Sequence, residues 1–145
     1  MSLYFWGLEY PWGENEIAPD GRFAALLTGG KTGAHDEELP IPDFYATYAE
    51  GHGKPLAIIE TAALYDPAGG GPDEATVKRA WFEQVFSAAT REAFPRIGMV
   101  NWFEWQKHEP EVDGVIDWRM AGDDRLGRAL LATVPEDWLL FAKDR

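Results

Sequence analysis

Two apolar segments separated by one amphipathic helix constrain the fold of this chain more than any other feature of its sequence. They are PLAIIETA at 55–62 and IGMVNWFEW at 97–105. Neither alternates between apolar and polar residues, which is typical of parallel strands that are covered on both faces. Between them, Asp73 can cap a helix that ends by Pro95. The inward side chains of this helix are predicted to be Val77, Trp81, Val85 and Ala88.

The rest of the chain continues the order of strand and helix. Residues 1–7, MSLYFWG, are predicted as a strand, and Asp20 as the cap of a short helix through Leu27. The remaining predictions are a helix over 41–50, a loop over 106–114, an extended segment over 115–120, a helix capped by Asp123 or Asp124, and a C-terminal helix over 135–142. The sequence therefore predicts a single α/β domain over residues 1–145.

Composition excludes several classes of function. The chain has 13 basic and 25 acidic residues and a net charge of −12, which argues against binding to nucleic acid or to anionic membranes. It has no cysteine, so disulfides and thiolate metal sites are excluded. The histidines, His35, His52 and His108, lie far apart without the spacing of metal ligands. The sequence predicts no metal site, no cofactor, no membrane span and no secretory signal.

Chemically useful side chains cluster where the predicted strands end. Glu60 lies near the end of the segment 55–62, and the other two strands carry aromatic residues near their ends. Because functional groups in parallel α/β folds lie at the carboxyl ends of strands, Glu60 is a candidate catalytic carboxylate. The candidate binding residues around it are Tyr4, Trp6, Trp12, Trp102, Trp105 and Glu104. Flat aromatic rings beside a carboxylate suit the binding and cleavage of a sugar chain.

Alternatives remain open for each of these residues. Glu60 could be an exposed glutamate at a strand edge, and Tyr4 a core residue of its strand. Most of the seven tryptophans should pack, with Trp81 in the core and Trp118 near the rim. GENE at 13–16 and AGGGP at 68–72 are interpreted as solvated and flexible loops.

The order of several motifs resembles the C-terminal part of glycoside hydrolase family 26, a family related to β-mannanases. The motifs are YFWGLEYPWGENE, GHGKPLAIIETAALYDP, KRAWFEQVFS, FPRIGMVNWFEW and VIDWRM. The pattern is most similar to secreted fungal members. The resemblance implies a (β/α)8 TIM barrel in which residues 1–7, 55–62 and 97–105 correspond to strands six, seven and eight.

The resemblance also implies roles for individual residues. Glu60 matches the nucleophile of a retaining enzyme, and Tyr4 matches the tyrosine that hydrogen-bonds it. Trp102 matches the indole that lies under the sugar. Trp105 is the alternative, because strand alternation places the two side chains on opposite faces and only one of them can face the site. The expected substrate is β-mannan or a related β-glycan, and the expected location is extracellular.

In the same resemblance, strands one to five of the barrel have no counterpart in this chain. The strand that carries the acid/base residue is one of them. A complete barrel takes roughly 250 residues, so the chain is expected to be a fragment that is a poor catalyst or none. Two other hypotheses stay open: a non-catalytic carbohydrate-binding module, and a pseudo-enzyme remnant. In the latter, open sheet edges at 1–7 and 97–105 would template self-association.

Overall fold

Three parallel strands form the central sheet of the protein, and helices pack on one of its faces. The computed structural model describes residues 1–29 and 42–134. Its elements are β1 (Ser2–Phe5), α1 (Arg22–Thr28), a π-helix (Tyr45–Glu50), β2 (Leu56–Ala63), α2 (Glu74–Val85), α3 (Ala88–Ala93), β3 (Ile97–Trp102), β4 (Gln106–Glu109), β5 (Gly114–Asp117) and α4 (Asp124–Leu131). The predicted helix over 135–142, Trp138 and His35 lie outside the described residues.

The sheet has the strand order β1-β2-β3, and both pairings are parallel. The register pairs Ser2 with Glu60 and Thr61 with Trp102. This arrangement confirms the predicted α/β class and the parallel sheet. Within the described ranges the sheet does not close into a barrel, and β1 and β3 each pair only with β2.

The helix-facing side of the sheet holds the larger of two hydrophobic cores. Trp81 of α2 is fully buried there, as predicted, and its ring stacks on Phe5 at 6.0 Å between centroids. Its indole N–H donates to the hydroxyl of Thr61 at 2.9 Å, so this buried polar group is satisfied. Other large members of the core are Phe23, Leu27, Ile58 and Phe82.

The opposite face of the sheet is only partly covered. Ile59 of β2 is 49% exposed and Met99 of β3 is 45% exposed. The prediction that both strands are covered on both faces is therefore wrong for the described part of the chain. Among residues 1–29 and 42–134, helices contact one face, and the segment after β3 covers the carboxyl end of the other.

That covering segment is a β-hairpin of β4 and β5. The loop predicted over 106–114 is wrong for β4, whereas residues 115–117 of β5 confirm the extended segment predicted over 115–120. The two strands pair antiparallel from Gln106 with Asp117 to Glu109 with Gly114. Ile116 and Trp118 then pack with two residues of β2 and its end, Ala62 and Leu64, in a second core. Trp118 is fully buried. The predicted loop is thus part of the packing that shapes the sheet end.

Several helix boundaries also differ from the prediction. Asp20 does not cap α1, because the residue at the N-cap is Gly21 with a φ of 79° and no side-chain cap bond. The predicted helix from Asp73 to Pro95 is two helices. Ser87 begins the second one by accepting a hydrogen bond from the N–H of Thr90. Ala88, expected to face inward, is exposed at the start of α3.

Two predicted caps are confirmed. The side chain of Asp73 accepts a hydrogen bond from the N–H of Thr76 and begins α2. The side chain of Asp123 accepts from the N–H groups of Arg125 and Leu126 and begins α4. Both are short acidic side chains in extended backbone directly before a helix, which is the arrangement that favours capping.

Candidate functional site

Glu60 lies on the open face of the sheet, on the strand between β1 and β3. Its neighbours Ile58 and Thr61 are fully buried toward the helices, and the pairing of β2 with β3 shifts register between them. Ile59 and Glu60 fall inside that irregularity. A bulge of this kind re-aims a side chain without ending the strand. The carboxylate is thereby presented on the side that the helices do not cover.

Two hydroxyl groups of β1 bind the carboxylate of Glu60. The phenol of Tyr4 donates to Oε2 at 3.1 Å, and the hydroxyl of Ser2 donates to the same oxygen at 3.2 Å. Ser2 lies directly opposite Glu60 in the parallel register, while Tyr4 is two residues further along the same strand face. No described residue donates to Oε1. Among the described residues, the carboxylate is therefore held through Oε2 alone.

The contact also perturbs Tyr4. Burial raises the pKa of its phenol most, and the hydrogen bond to Glu60 and the charge of that carboxylate raise it further. Tyr4 is therefore neutral over the whole physiological range and acts as a hydrogen-bond donor.

Aromatic rings extend from Tyr4 in a continuous series. The ring of Tyr4 lies 5.2 Å from Trp118 and 6.4 Å from Trp6, measured between centroids. Trp6 lies 5.5 Å from Trp12, and Trp12 lies 5.5 Å from Tyr10. The structure thus brings four candidates together by contact: Glu60, Tyr4, Trp6 and Trp12.

Trp102 lies between the two hydrophobic cores, and its contact with a sugar stays a prediction. Its indole N–H donates to the carbonyl of Trp118 at 2.7 Å, and its ring lies 5.8 Å from Phe82 in the helix-facing core. The side chain is half-buried and joins the two cores. These contacts are those of a packing residue that supports the second core beneath Tyr4.

Glu104 and Trp105 follow β3, which ends at Trp102 and not at residue 105 as predicted. Both oxygens of Glu104 accept hydrogen bonds, from the N–H groups of Met120 and Ala121 at 2.9 to 3.1 Å. Trp105 is 60% exposed. No contact between described residues joins either side chain to Glu60. The carboxylate of Glu104 instead fixes the turn before α4.

Two residues near the site were missed by sequence reasoning. Ser2 could have been found, because positions 2, 4 and 6 share one face of a strand. Glu109 could not, since its hairpin was predicted as loop. It is 4% exposed, accepts from the indole N–H of Trp118 at 2.7 Å, and pairs with Lys107 at 3.0 Å. Its charge also contributes to the raised pKa of Tyr4.

The loop that follows β1 is more ordered than a solvated loop. In the segment 13–16, Asn15 is buried and exchanges two hydrogen bonds with the backbone of Asp66, at 3.0 and 2.7 Å. Glu16 accepts from the N–H of Leu8 at 2.6 Å. The interpretation of 13–16 as a solvated loop is therefore wrong for these two side chains.

The described residues contain no group of three or more His, Asp or Glu side chains that could hold a metal ion. Over the same ranges no helix has the length and apolar character needed to cross a bilayer. Comparison of the chain with protein-family models, with curated proteins and with solved structures finds no match.

Proposed function

We propose that this chain carries the nucleophile-bearing part of a retaining glycoside hydrolase site that acts on β-mannan or a related β-glycan. The observation that carries the proposal is the geometry of Glu60, whose Oε2 accepts two hydroxyl hydrogen bonds while Oε1 has no described donor. A carboxylate fixed through one oxygen can attack an anomeric carbon through the other. The strand order and the contact with Tyr4 are consistent with the resemblance to glycoside hydrolase family 26 and with a partial (β/α)8 barrel.

Retaining hydrolysis also needs a general acid about 5 Å from the nucleophile. Among the described residues, Glu104 is bound by backbone N–H groups and Glu109 by Trp118 and Lys107. We therefore propose that the acid comes from outside the described residues, or from another chain. The expected setting is an extracellular polysaccharide, as for secreted members of the family.

The nucleophile can be tested without a general acid. In a fluorinated mannoside with a dinitrophenolate leaving group, Oε1 of Glu60 would bond to the anomeric carbon. The bond to dinitrophenolate would break with its electron pair, and no proton would be required. The fluorine slows hydrolysis of the ester by destabilising the oxocarbenium-like transition state. Mass spectrometry of the digested protein should then find a glycosyl adduct on the peptide that contains Glu60.

The control is the Glu60→Gln variant, which should release no dinitrophenolate and carry no adduct. An adduct on another carboxylate, or equal labelling of wild type and variant, would refute the assignment of the nucleophile. Labelling at Glu60 together with no hydrolysis of mannan would support the proposal of a site that lacks its acid.

One observation favours a second candidate function, carbohydrate binding without cleavage. Tyr4 is the one aromatic residue of the described part of the chain that is hydrogen-bonded to Glu60, and further rings, Trp6 and Trp12, continue from it by ring contacts. This function predicts that mannan oligomers bind to the chain while the fluorinated reagent leaves Glu60 unlabelled.

A further inference from the structure

Four aromatic side chains form a row that leads away from Glu60. The row consists of Tyr4, Trp6, Trp12 and Tyr10, in the order of their contacts, and each ring touches the next at 5.5 to 6.4 Å between centroids. Its inner end is hydrogen-bonded to the carboxylate, and its outer end, Tyr10, is 53% exposed. The row therefore runs from the partly buried site to solvent.

The backbone of this row is fixed before any ligand binds. Gly7 has a φ of 148°, and a Cβ there would lie 2.7 Å from Oε2 of Glu16 and 3.2 Å from Trp12. A residue with a side chain is strained at this φ, so glycine is required where the chain turns from Trp6 toward Trp12. Glu16 closes the turn through the N–H of Leu8. Asn15 then ties the end of the loop to the backbone of Asp66.

The rings on this loop are already held in place by these contacts. Ligand binding would therefore cost them little conformational entropy. Ligands that stack on a row of rings are nucleic-acid bases, proline-rich peptides and pyranose chains. The net charge of −12 opposes a nucleic acid, whose backbone requires a positive groove. A carboxylate whose Oε1 has no donor among the described residues lies at the inner end, and it suits the hydroxyl groups and anomeric centre of a sugar better than a proline ring.

We propose that Trp12 and Tyr10 extend the site of Glu60 into a binding surface for further units of a β-linked oligosaccharide. The inference rests on the proposed function for the class of its ligand. It adds that the ligand is a chain whose affinity grows with its length. It also assigns a binding role to Tyr10, which sequence reasoning did not select.

The test measures binding in the Glu60→Gln background, so that no turnover disturbs the titration. Mannobiose, mannotriose and mannohexaose are titrated by calorimetry into this protein and into the same protein with Tyr10→Ala or Trp12→Ala. We expect affinity to rise with length, and each second substitution to weaken mannohexaose binding about fivefold while leaving mannobiose binding unchanged. Tyr48→Ala is the matched control, because Tyr48 is 52% exposed on the π-helix and lies outside the row.

Three results would overturn the inference: no oligomer binds, the two substitutions weaken all lengths equally, or Tyr48→Ala has the same effect. Tyr10 lies at the surface, so the test does not depend on Trp12→Ala folding normally, and circular dichroism checks both variants. The covalent labelling of Glu60 is scored separately in the protein with Glu60 intact. If binding depends on length but Glu60 is not labelled, the binding role of the row is supported and the assignment of Glu60 as nucleophile is refuted. If Glu60 is labelled but binding does not depend on length, the nucleophile is supported and the binding role of the row is refuted.

Discussion

The phenol of Tyr4 and the carboxylate of Glu60 meet across two neighbouring parallel strands, with 3.1 Å between the hydroxyl oxygen and Oε2. The contact is diagonal, because Glu60 is paired with Ser2 and Tyr4 is paired with Ala62. One strand thus supplies both hydroxyl donors, and the other supplies the acceptor. The geometry of the carboxylate depends on the strand register, since a shift of one residue would turn both donors to the helix-facing side.

We expect Glu60→Gln to lower the pKa of Tyr4 without returning it to its ordinary value. Burial is the largest cause of the raised pKa and persists in the variant, while the charge of Glu60 and its acceptor strength are lost. Titration of the labelled tyrosine ring by NMR measures the change, and a Tyr4→Phe spectrum identifies the signal. An unchanged pKa in Glu60→Gln would contradict the contact.

The same group predicts a dependence of stability on pH. The pKa of Tyr4 is higher in the folded than in the unfolded chain, so its contribution is complete below about pH 10 and is lost as the pH rises further. The free energy of unfolding should therefore fall more steeply above about pH 10 in the wild type than in Tyr4→Phe. Urea unfolding at several alkaline pH values measures the difference, and parallel slopes would contradict it.

Gly7→Ala should disturb the aromatic row more than it disturbs the fold. A Cβ at this position would meet Glu16 and Trp12, and a φ of 148° is strained for alanine. We expect a loss of about 2 kcal/mol in the free energy of unfolding, together with a change in the near-ultraviolet circular dichroism of the Trp6–Trp12 pair. Gly70→Ala is the control, because a Cβ at Gly70 meets nothing within 4 Å. Equal effects of the two substitutions would contradict this account.

The sequence was sufficient for features that depend on short-range patterns. Continuous apolar runs predicted parallel strands, and Asp73 was identified as a cap from its position before a helical pattern. The same signal left Asp123 and Asp124 as alternatives, and the structure has Asp123 as the cap. Glu60 was selected because a single carboxylate followed an apolar run. Each of these signals lies within a few residues of the feature that it predicts.

The features that were missed depend on contacts between distant segments. QKHE at 106–109 has no alternation of polar and apolar residues, and it becomes a strand because β5 pairs with it and Trp118 binds Glu109. Glu104 looks like a strand-end carboxylate until the N–H groups of Met120 and Ala121 are placed beside it. Such partners are separated by many residues, and no local pattern indicates them.

Lys78 provides a test of the packing between α2 and the segment after β5. Its side chain is fully buried, bound to the carboxylate of Glu74 and the carbonyl of Arg119, and its Nζ lies 3.6 Å from Oδ1 of Asp117. Burial raises the pKa of Asp117, but the hydrogen bonds from Arg119 and the charge of Lys78 outweigh it, and the net pKa is lowered. This contribution to stability is present above the ordinary carboxyl pKa and is lost as the pH falls through the lowered value.

Lys78→Met should therefore reduce the free energy of unfolding by about 2 kcal/mol at neutral pH, because the carbonyl of Arg119 and the carboxylate of Glu74 lose their donor while Asp117 keeps Arg119. It should also weaken the loss of stability in acid. Arg128→Met is the control, because Arg128 and Asp124 form an ion pair with side chains that are 73% and 84% exposed, and its loss should cost less than about 1 kcal/mol. Chemical unfolding at neutral and acidic pH measures both variants. A Lys78→Met protein as stable as the control would refute this role for Lys78.

The exposed sheet face predicts self-association of the chain. In the described part of the chain, β1 and β3 each have one edge without a pairing strand, and Ile59 and Met99 expose apolar side chains beside them. Such edges template further pairing, while the net charge of −12 opposes it. Sedimentation velocity should therefore show association that increases with protein concentration and with salt, because salt screens the repulsion.

Met99→Lys should reduce this association by placing a charge on β3, whereas Val115→Lys, at a 51% exposed position of the hairpin, should not. A chain that stays monomeric at high salt, or that responds equally to both substitutions, would contradict association through this face.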